Sequence, residues 1–291
     1  MTTAKPASRD SQHTESGLSA HSPGSPAVEL RGARLALGER VLWDGLDLSV
    51  EPGEFVAVLG PNGSGKTTLL KVLLGQRELS DGSARINGEP VGRGVAGSAG
   101  VGYVPQQKNF EVDLPLRGRD LVGLGLDGHR LGPRLRARAA RRAKVDAALA
   151  AVGANGYATM PVGRLSGGEQ QRLRVAQALV GDPSVLLCDE PLLSLDLANQ
   201  RLVSTLIDRR RLDAGSAVLF VTHEINPILP MVDRVLYLVD GQFRIGTPEQ
   251  VMTSEVLSEL YRTQVDVLRV RDRLVVLGAD DGPADHGHRH D

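Results

Sequence analysis

The residues with the clearest chemistry form one glycine-rich segment, Gly60-Pro61-Asn62-Gly63-Ser64-Gly65-Lys66-Thr67-Thr68. It fits the pattern G-x-x-x-x-G-K-[ST], with an apolar run before it and a helical pattern after it. The glycines let backbone N–H groups turn towards a polyphosphate, and the following helix adds the positive end of its dipole. Lys66 would reach the β- and γ-phosphates, and Thr67 would hold Mg²⁺. The sequence therefore predicts a nucleotide site here.

Polar side chains follow three further apolar runs that are typical of strands, and they are Gln106, Asp189, Glu190 and His223. Carboxylates at the end of a buried strand are costly unless they do electrostatic work. Adjacent positions on a strand face opposite ways, so Asp189 would serve Mg²⁺ while Glu190, displaced from it, would polarise the attacking water. A lone glutamine or histidine is more often solvated or structural, but all four groups sit at strand ends, which predicts one shared site.

A second candidate anion site opens the segment Leu165-Ser166-Gly167-Gly168-Glu169-Gln170-Gln171. Ser166 and Glu169 have the spacing of a capping box, which is a purely structural explanation of those two residues. The paired glycines expose N–H groups at a helix start, where anions bind. A chain with two such sites either binds two ligands or donates one site to a neighbour.

Composition narrows the class of protein. The chain has 291 residues, 41% of them hydrophobic, so it can bury a substantial core. Its formal net charge of −1 provides no global field for nucleic acid or anionic lipid. The single cysteine, Cys188, rules out an intramolecular disulfide framework and suits a reducing cytoplasm. No apolar run approaches the ~18 residues of a membrane span. Residues 1–27, rich in Ser, Thr and Pro, are expected to be a disordered leader.

The remaining patterns predict the elements around the site. Residues 28–37 and 41–50 indicate a hairpin, and residues 83–86 a further strand, so antiparallel strands are expected to flank the strand at 55–59 in a mixed sheet. Residues 108–164 are expected to be a mainly helical insertion. Its arginine-rich stretch has no interleaved aromatic residues, which favours a solvated helix face over a nucleic-acid site.

These motifs together resemble the ATPase subunit of ATP-binding cassette (ABC) transporters. The phosphate loop, Gln106, the signature at 165–170, the Asp189-Glu190 pair, Ser194-Leu195-Asp196 and His223 occur in the family's order. The resemblance implies an α/β fold, a P-loop ABC ATPase domain with a mixed central sheet, an antiparallel β subdomain and a helical insertion at about 108–164. This domain would span 28–250, followed by a C-terminal extension at 251–278 with a helix and a hairpin, and a flexible His-rich tail at 279–291.

The resemblance also implies cofactors, partners and roles. Two copies would sandwich two molecules of ATP head to tail, with Mg²⁺ held by Thr67, Gln106 and Asp189. The catalytic residues would be Glu190, His223 and Gln106. The opposite subunit would contribute Ser166, Gly167, Gly168, Glu169 and Asp196. The other implied partners are integral membrane permease subunits and an extracytoplasmic solute-binding protein, with no nucleic acid. The subunit would lie on the cytoplasmic face of the cell membrane, held there by the permease.

One departure from the family concerns adenine. The family usually has an aromatic residue at the end of the first strand, where this chain has Leu37, and Trp43 is too far along to replace it. Leu37 is therefore expected to contact adenine through apolar atoms, with weak base discrimination.

A narrower resemblance concerns the transported solute. The segments at 103–106, 113–116 and 257–261 are similar to ATPases of zinc and manganese importers. A second sign is the tail, where His286, His288 and His290 could bind a metal ion, although short histidine tracts often do so without purpose.

Other functions stay open at this stage. The chain could serve another importer, for a siderophore or another solute, or act as an iron–sulfur assembly ATPase. Translation factors and repair ATPases of the family are disfavoured because neither an internal repeat nor sustained heptads are visible. A nucleotide-binding regulator without turnover is disfavoured by Glu190, which stands where the family places its base.

Overall fold

The computed structural model describes residues 25–92, 100–106, 110–127 and 138–278. The strands are β1 (Val28–Leu37), β2 (Arg40–Val50), β3 (Phe55–Leu59), β4 (Asp81–Ile86), β5 (Glu89–Pro90), β6 (Val101–Val104), β7 (Val185–Asp189), β8 (Ala217–Val221), β9 (Arg234–Val239), β10 (Gln242–Gly246), β11 (Val265–Val270) and β12 (Arg273–Gly278). The helices are α1 (Lys66–Leu73), α2 (Gly118–Asp127), α3 (Arg138–Ala151), α4 (Gly167–Leu179), α5 (Leu197–Ala214), α6 (Pro248–Val251) and α7 (Ser254–Tyr261).

A six-stranded sheet forms the centre, in the order β10-β9-β3-β8-β7-β6. Strands β3, β6, β7, β8 and β9 are parallel, and β10 joins the edge antiparallel to β9. Every residue of β3, β7 and β8 is buried, which explains why these strands are continuous apolar runs rather than alternating ones. The carboxyl ends of β3, β8, β7 and β6 are neighbours, so the loops that follow them meet at one edge.

The N-terminal hairpin forms but lies in a different sheet from the one expected. β1 pairs with β2 and with β4, and the four strands β2-β1-β4-β5 make a separate antiparallel sheet. The expectation that these strands flank β3 was therefore wrong, because β3 is paired on both sides by β8 and β9. The central sheet is mixed through β10 instead. Apolar side chains of the antiparallel sheet pack on α1 and on one face of the central sheet.

Helices α2, α3 and α4 pack together beside the central sheet and share its larger core cluster. In α3, the basic side chains described are exposed, and Lys144 makes an ion pair with Asp182 while Arg142 lies near Asp146. This is the solvated face that the sequence predicted. Arg134 and Arg136 lie outside the described residues.

The C-terminal part adds two short helices and a two-stranded sheet. Thr247 and Gln250 form a capping box that starts α6, with Pro248 at its first position. The predicted terminal hairpin is confirmed as β11 and β12. The tail histidines His286, His288 and His290 lie outside the described residues. Within the described ranges, no helix is both long enough and apolar enough to cross a membrane.

Candidate active site

The phosphate loop joins β3 to α1, as the sequence predicted. Its shape requires glycine at two positions. Gly60 has φ 136°, and a Cβ there would lie 2.0 Å from the carbonyl oxygen of Leu238. Gly65 has φ 101° and caps α1, and a Cβ there would lie 2.9 Å from Nε1 of Trp43. Ser64 Oγ is buried and makes no hydrogen bond within the described residues, so the loop has a polar atom suited to an anionic ligand.

Lys66 lies inside the loop rather than in solvent. Its ammonium donates to the carbonyl oxygens of Gly60 at 2.7 Å and Pro61 at 2.9 Å. Burial lowers its pKa, and the nearby charges of Glu190 and Asp189 oppose that shift. The ammonium charge is therefore held within the loop, close to two carboxylates.

Thr67 and Asp189 come together across the sheet edge. The hydroxyl of Thr67 donates to Oδ1 of Asp189 at 2.9 Å, and Asp189 is almost fully buried. Burial raises the pKa of Asp189, while the hydrogen bond from Thr67 lowers it. A hydroxyl and a carboxylate are oxygen ligands of the kind that Mg²⁺ prefers, so this pair fits the ion. On the neighbouring strand, burial and then the adjacent Asp189 raise the pKa of Tyr103 to about 12.

Glu190 occupies the centre of the site. Its Oε2 accepts a hydrogen bond of 3.0 Å from Nε2 of Gln106, and its Oε1 lies 2.5 Å from Nε2 of His223. The side chain is largely buried, and the backbone adopts φ 48°, a left-handed conformation that side chains disfavour. Its backbone N–H donates to the carbonyl of Val221 at 2.9 Å. Gln106, Glu190 and His223, three of the four strand-end residues expected to share one site, are therefore in contact, and the fourth, Asp189, directly precedes Glu190.

The side-chain amide of Gln106 is placed differently from what its expected role as a Mg²⁺ ligand requires. Its amide nitrogen is directed at Glu190, not at the Thr67 and Asp189 pair. Gln106 as a ligand of Mg²⁺ therefore stays a prediction.

The signature segment starts α4 with the predicted capping box between Ser166 and Glu169. Gln171, one turn further, donates to the carbonyl of Pro191 at 3.0 Å, and this fixes the helix to the turn after Glu190. Asp196 caps α5 and accepts hydrogen bonds from Asn199, which lower its pKa. Gly168 faces the same Asn199 side chain. The signature is thus positioned against the segment 191–199.

Two side chains near the loop did not enter the sequence prediction of the site. Trp43 is fully buried, and its indole edge supports Gly65 from the core side. Arg40 donates from Nη2 to the carbonyl of Gly63 at 3.2 Å and lies opposite Leu37 at the end of the β1–β2 pair. Leu37 itself is exposed. The sequence feature that could have identified Arg40 is its position three residues after Leu37, the expected adenine contact.

Comparison with known proteins identifies the family. The profile of a family described as ABC transporter matches residues 43–193, which is more than half of the chain. The chain belongs to the ABC transporter family. As an ABC ATPase it is an ATP hydrolase of the kind coupled to transmembrane transport, and its sheets and helices form the ABC ATPase fold.

Relatives named as import ATPases cover most of the chain. The hemin import ATP-binding protein of Streptomyces coelicolor is 34% identical over 84% of this chain and 86% of that protein. The manganese transport system ATP-binding protein of Bacillus subtilis is 32% identical over 83% and 95%. Others are named for import of zinc, phosphonates, spermidine/putrescine and aliphatic sulfonates. Similar identities to proteins with such different solutes leave the solute of this ABC ATPase undetermined.

A solved structure shows how a related cassette assembles. A dimeric ATP-binding cassette in a post-hydrolysis state, bound to ADP and Pi, is 27% identical, with a TM-score of 0.66 over 76% of this chain and 98% of that chain.

Proposed function

We propose that this ABC ATPase hydrolyses ATP with Mg²⁺ as a homodimer and thereby powers a membrane permease that imports a divalent metal ion such as zinc or manganese. The observation that carries the catalytic part is the position of Glu190. Its carboxylate lies between Gln106 and His223, at the same sheet edge as the Thr67–Asp189 pair and the Lys66 ammonium.

The residues have separate tasks. Thr67 and Asp189 would hold Mg²⁺, which neutralises charge on the phosphates when it is bound. Lys66 brings a positive charge to the same phosphates, and the loop amides donate to them. Glu190 accepts the proton of the attacking water. His223 and Gln106 hold the two oxygens of that carboxylate, so the base is oriented before water arrives.

The dimer follows from where the signature lies. Gln171, directly after the signature, donates to the carbonyl of Pro191, and Gly168 lies beside Asn199. We infer that the N–H groups of Gly167 and Gly168 at this helix start serve a second copy. The segment 191–199 has two exposed leucines, Leu193 and Leu197, as expected of an interface. We propose that Ser166, Gly167, Gly168, Glu169 and Asp196 complete the partner's nucleotide site. The dimeric relative bound to ADP and Pi supports a dimer of this chain.

The partners and location rest on the relatives. Relatives named as import ATPases support integral membrane permease subunits as partners, with a solute-binding protein outside the membrane. The chain would then lie at the cytoplasmic face of the cell membrane through the permease. The manganese and zinc relatives support a metal solute, and the hemin relative supports a second candidate, a metal chelate.

The test begins with purification of the tagged chain from its native membranes. We expect it to bring down a permease with many membrane spans. In proteoliposomes with the solute-binding protein, uptake of zinc or manganese should require ATP and should be lost in Glu190→Gln. Uptake of hemin or of a ferric siderophore instead would refute the metal-ion solute and keep the transporter. Co-purification with iron–sulfur assembly proteins and no permease would refute transport.

A further inference from the structure

The terminal hairpin of β11 and β12 has one face in the core and one face outside it. Val265, Val267 and Leu274 lie on the inner face and join the larger core cluster. Cross-strand pairs point to the same side of a sheet, so the outer face consists of the alternate pairs. The apolar members of this outer face are 39–55% exposed, and they are Leu268, Val270, Val275 and Leu277.

Two charged residues occupy opposite corners of that outer face. Asp266 pairs with Leu277 at one end, and Arg273 pairs with Val270 at the other, so the acid and the base lie on a diagonal. At a rise of about 3.4 Å per residue they are roughly 14 Å apart along the strands. Within the described ranges neither residue makes an ion pair. The outer face therefore has an acidic residue at one corner, an apolar strip across its middle and a basic residue at the opposite corner.

This pattern is complementary to itself. A two-fold axis in the plane of the face, perpendicular to the diagonal, lays the apolar strip of one copy on the strip of another. The same rotation brings each Asp266 to the partner copy's base and each Arg273 to the partner copy's acid. Such an isologous contact is what two-fold dimers use, and two sheets that pack face to face bury strips of this kind.

The hairpin is also fixed to the active-site loop. The side chain of Asn226 donates to the carbonyl of Leu274 at 2.9 Å and accepts from its N–H at 2.8 Å. Asn226 follows His223 by three residues, so the hairpin is fixed to the same loop as the histidine that contacts Glu190.

We propose that the outer face of this hairpin packs against the same face of a second copy when ATP brings the two subunits together. The contact rests on the proposed ATP-dependent dimer and adds a second interface to it. Four half-exposed aliphatic side chains and two ion pairs are far below the ~800 Å² per partner of a stable interface, so the hairpin alone does not dimerise. Once ATP holds the subunits, the contact becomes intramolecular and needs little area.

Charge reversal tests the proposal in full-length Glu190→Gln protein with ATP and Mg²⁺. Asp266→Arg and Arg273→Asp should each raise the dimer dissociation constant roughly 5- to 30-fold, because both symmetric contacts become repulsive. The double variant restores opposite charges and should return to within about 3-fold of the parent. Asp272→Arg, the same charge change in the hairpin turn, is the matched control and should be within about 2-fold of the parent. Sedimentation velocity measures the dimer dissociation constant of these four variants and of the parent.

A cysteine placed at the middle of the face gives a second readout. Cys188 is fully buried, so the parent should give little oxidative cross-linking. Leu268→Cys should form a disulfide-linked dimer with ATP and far less with ADP. Leu212→Cys, on an exposed end of α5, is the control and should not cross-link.

The outcomes separate the two proposals. An ATP-dependent dimer that ignores the charge reversals, or a double variant as weak as the singles, overturns the hairpin contact and leaves the ATP dimer intact. Loss of permease binding in the single variants without any change in dimerisation identifies the permease as the occupant and also overturns it. A parent that never dimerises with ATP refutes the proposed function first.

Discussion

Replacing the central carboxylate of the site separates its chemical role from its structural role. In Glu190→Gln the side chain keeps its shape, and only the charge and the basic oxygen are lost. The two existing contacts are 3.0 Å to Gln106 and 2.5 Å to His223. The new amide keeps its oxygen towards His223 if Gln106 turns its own amide over, so both hydrogen bonds survive. We therefore expect a folded protein with an intact nucleotide site.

The two expected magnitudes are very different. Removal of a positioned general base costs about 10²- to 10⁴-fold in rate, so kcat should fall by that factor. A charge-assisted hydrogen bond becomes a neutral one, which costs on the order of 1 kcal/mol of stability, or about 2–4 °C in Tm. Glu190→Ala leaves Gln106 and His223 without their shared acceptor and should destabilise the protein more.

The assay compares three quantities for the same samples: phosphate release with Mg²⁺ and ATP, ATP affinity by equilibrium binding, and Tm. We expect kcat to collapse while affinity and Tm hardly change. A fall in kcat of less than 10-fold would refute Glu190 as the base. Lost ATP binding with normal Tm would mean that its contacts with Gln106 and His223 shape the nucleotide site itself.

Three further predictions concern base selection, alkaline stability and the tail. Leu37→Tyr should tighten ATP by about 1–2 kcal/mol through one aromatic stack, and should tighten ribose triphosphate much less. Tyr103 has a pKa raised to about 12, so the folded state holds its proton more tightly than the unfolded state does, and stability should fall as pH rises above 10. Tyr103→Phe should remove part of that fall, measured by urea unfolding at pH 8 and pH 11. If His286, His288 and His290 sense metal, truncation after Ala279 should abolish the effect of zinc on ATPase activity of the permease complex, and in the intact complex the effect should fade below pH ~6.5.

Each of these has a contrary result. Equal gains for ATP and for ribose triphosphate would mean that Leu37 is a core residue or is misassigned. The ATP affinity of Arg40→Ala would then show whether Arg40, the neighbour of Leu37, contacts the base instead. Parallel pH curves for Tyr103→Phe and the parent would mean that another group carries the alkaline loss. Identical zinc dependence with and without the tail would make the tail an incidental chelator.

Most of the site could be predicted from the sequence because its residues stand at strand ends. The pattern of an apolar run followed by a polar group places Asp189, Glu190 and His223 at one edge without any knowledge of packing. The partner of Gln106 could not be predicted, since side-chain direction at a loop depends on what lies 84 residues away in sequence. The support that Trp43 gives to Gly65 was equally hidden, because it joins a strand of the antiparallel sheet to the loop that follows the central strand β3.

The sheet arrangement shows the same limit. The hairpin of β1 and β2 could be predicted from alternation, but alternation does not say which sheet a hairpin joins. The strand that makes the central sheet mixed is β10, and its own pattern signalled only a hairpin with β9.

The backbone at Glu190 places catalysis and folding in opposition. A left-handed conformation costs a residue with a side chain roughly 1–2 kcal/mol, and glycine escapes that cost. Glu190→Gly removes that cost but also removes the acceptor that Gln106 and His223 share, so the gain and the loss of stability are of similar size. Because glycine and alanine lose the same carboxylate contacts and only alanine keeps the strained backbone, Glu190→Gly should be roughly 1–2 kcal/mol more stable than Glu190→Ala.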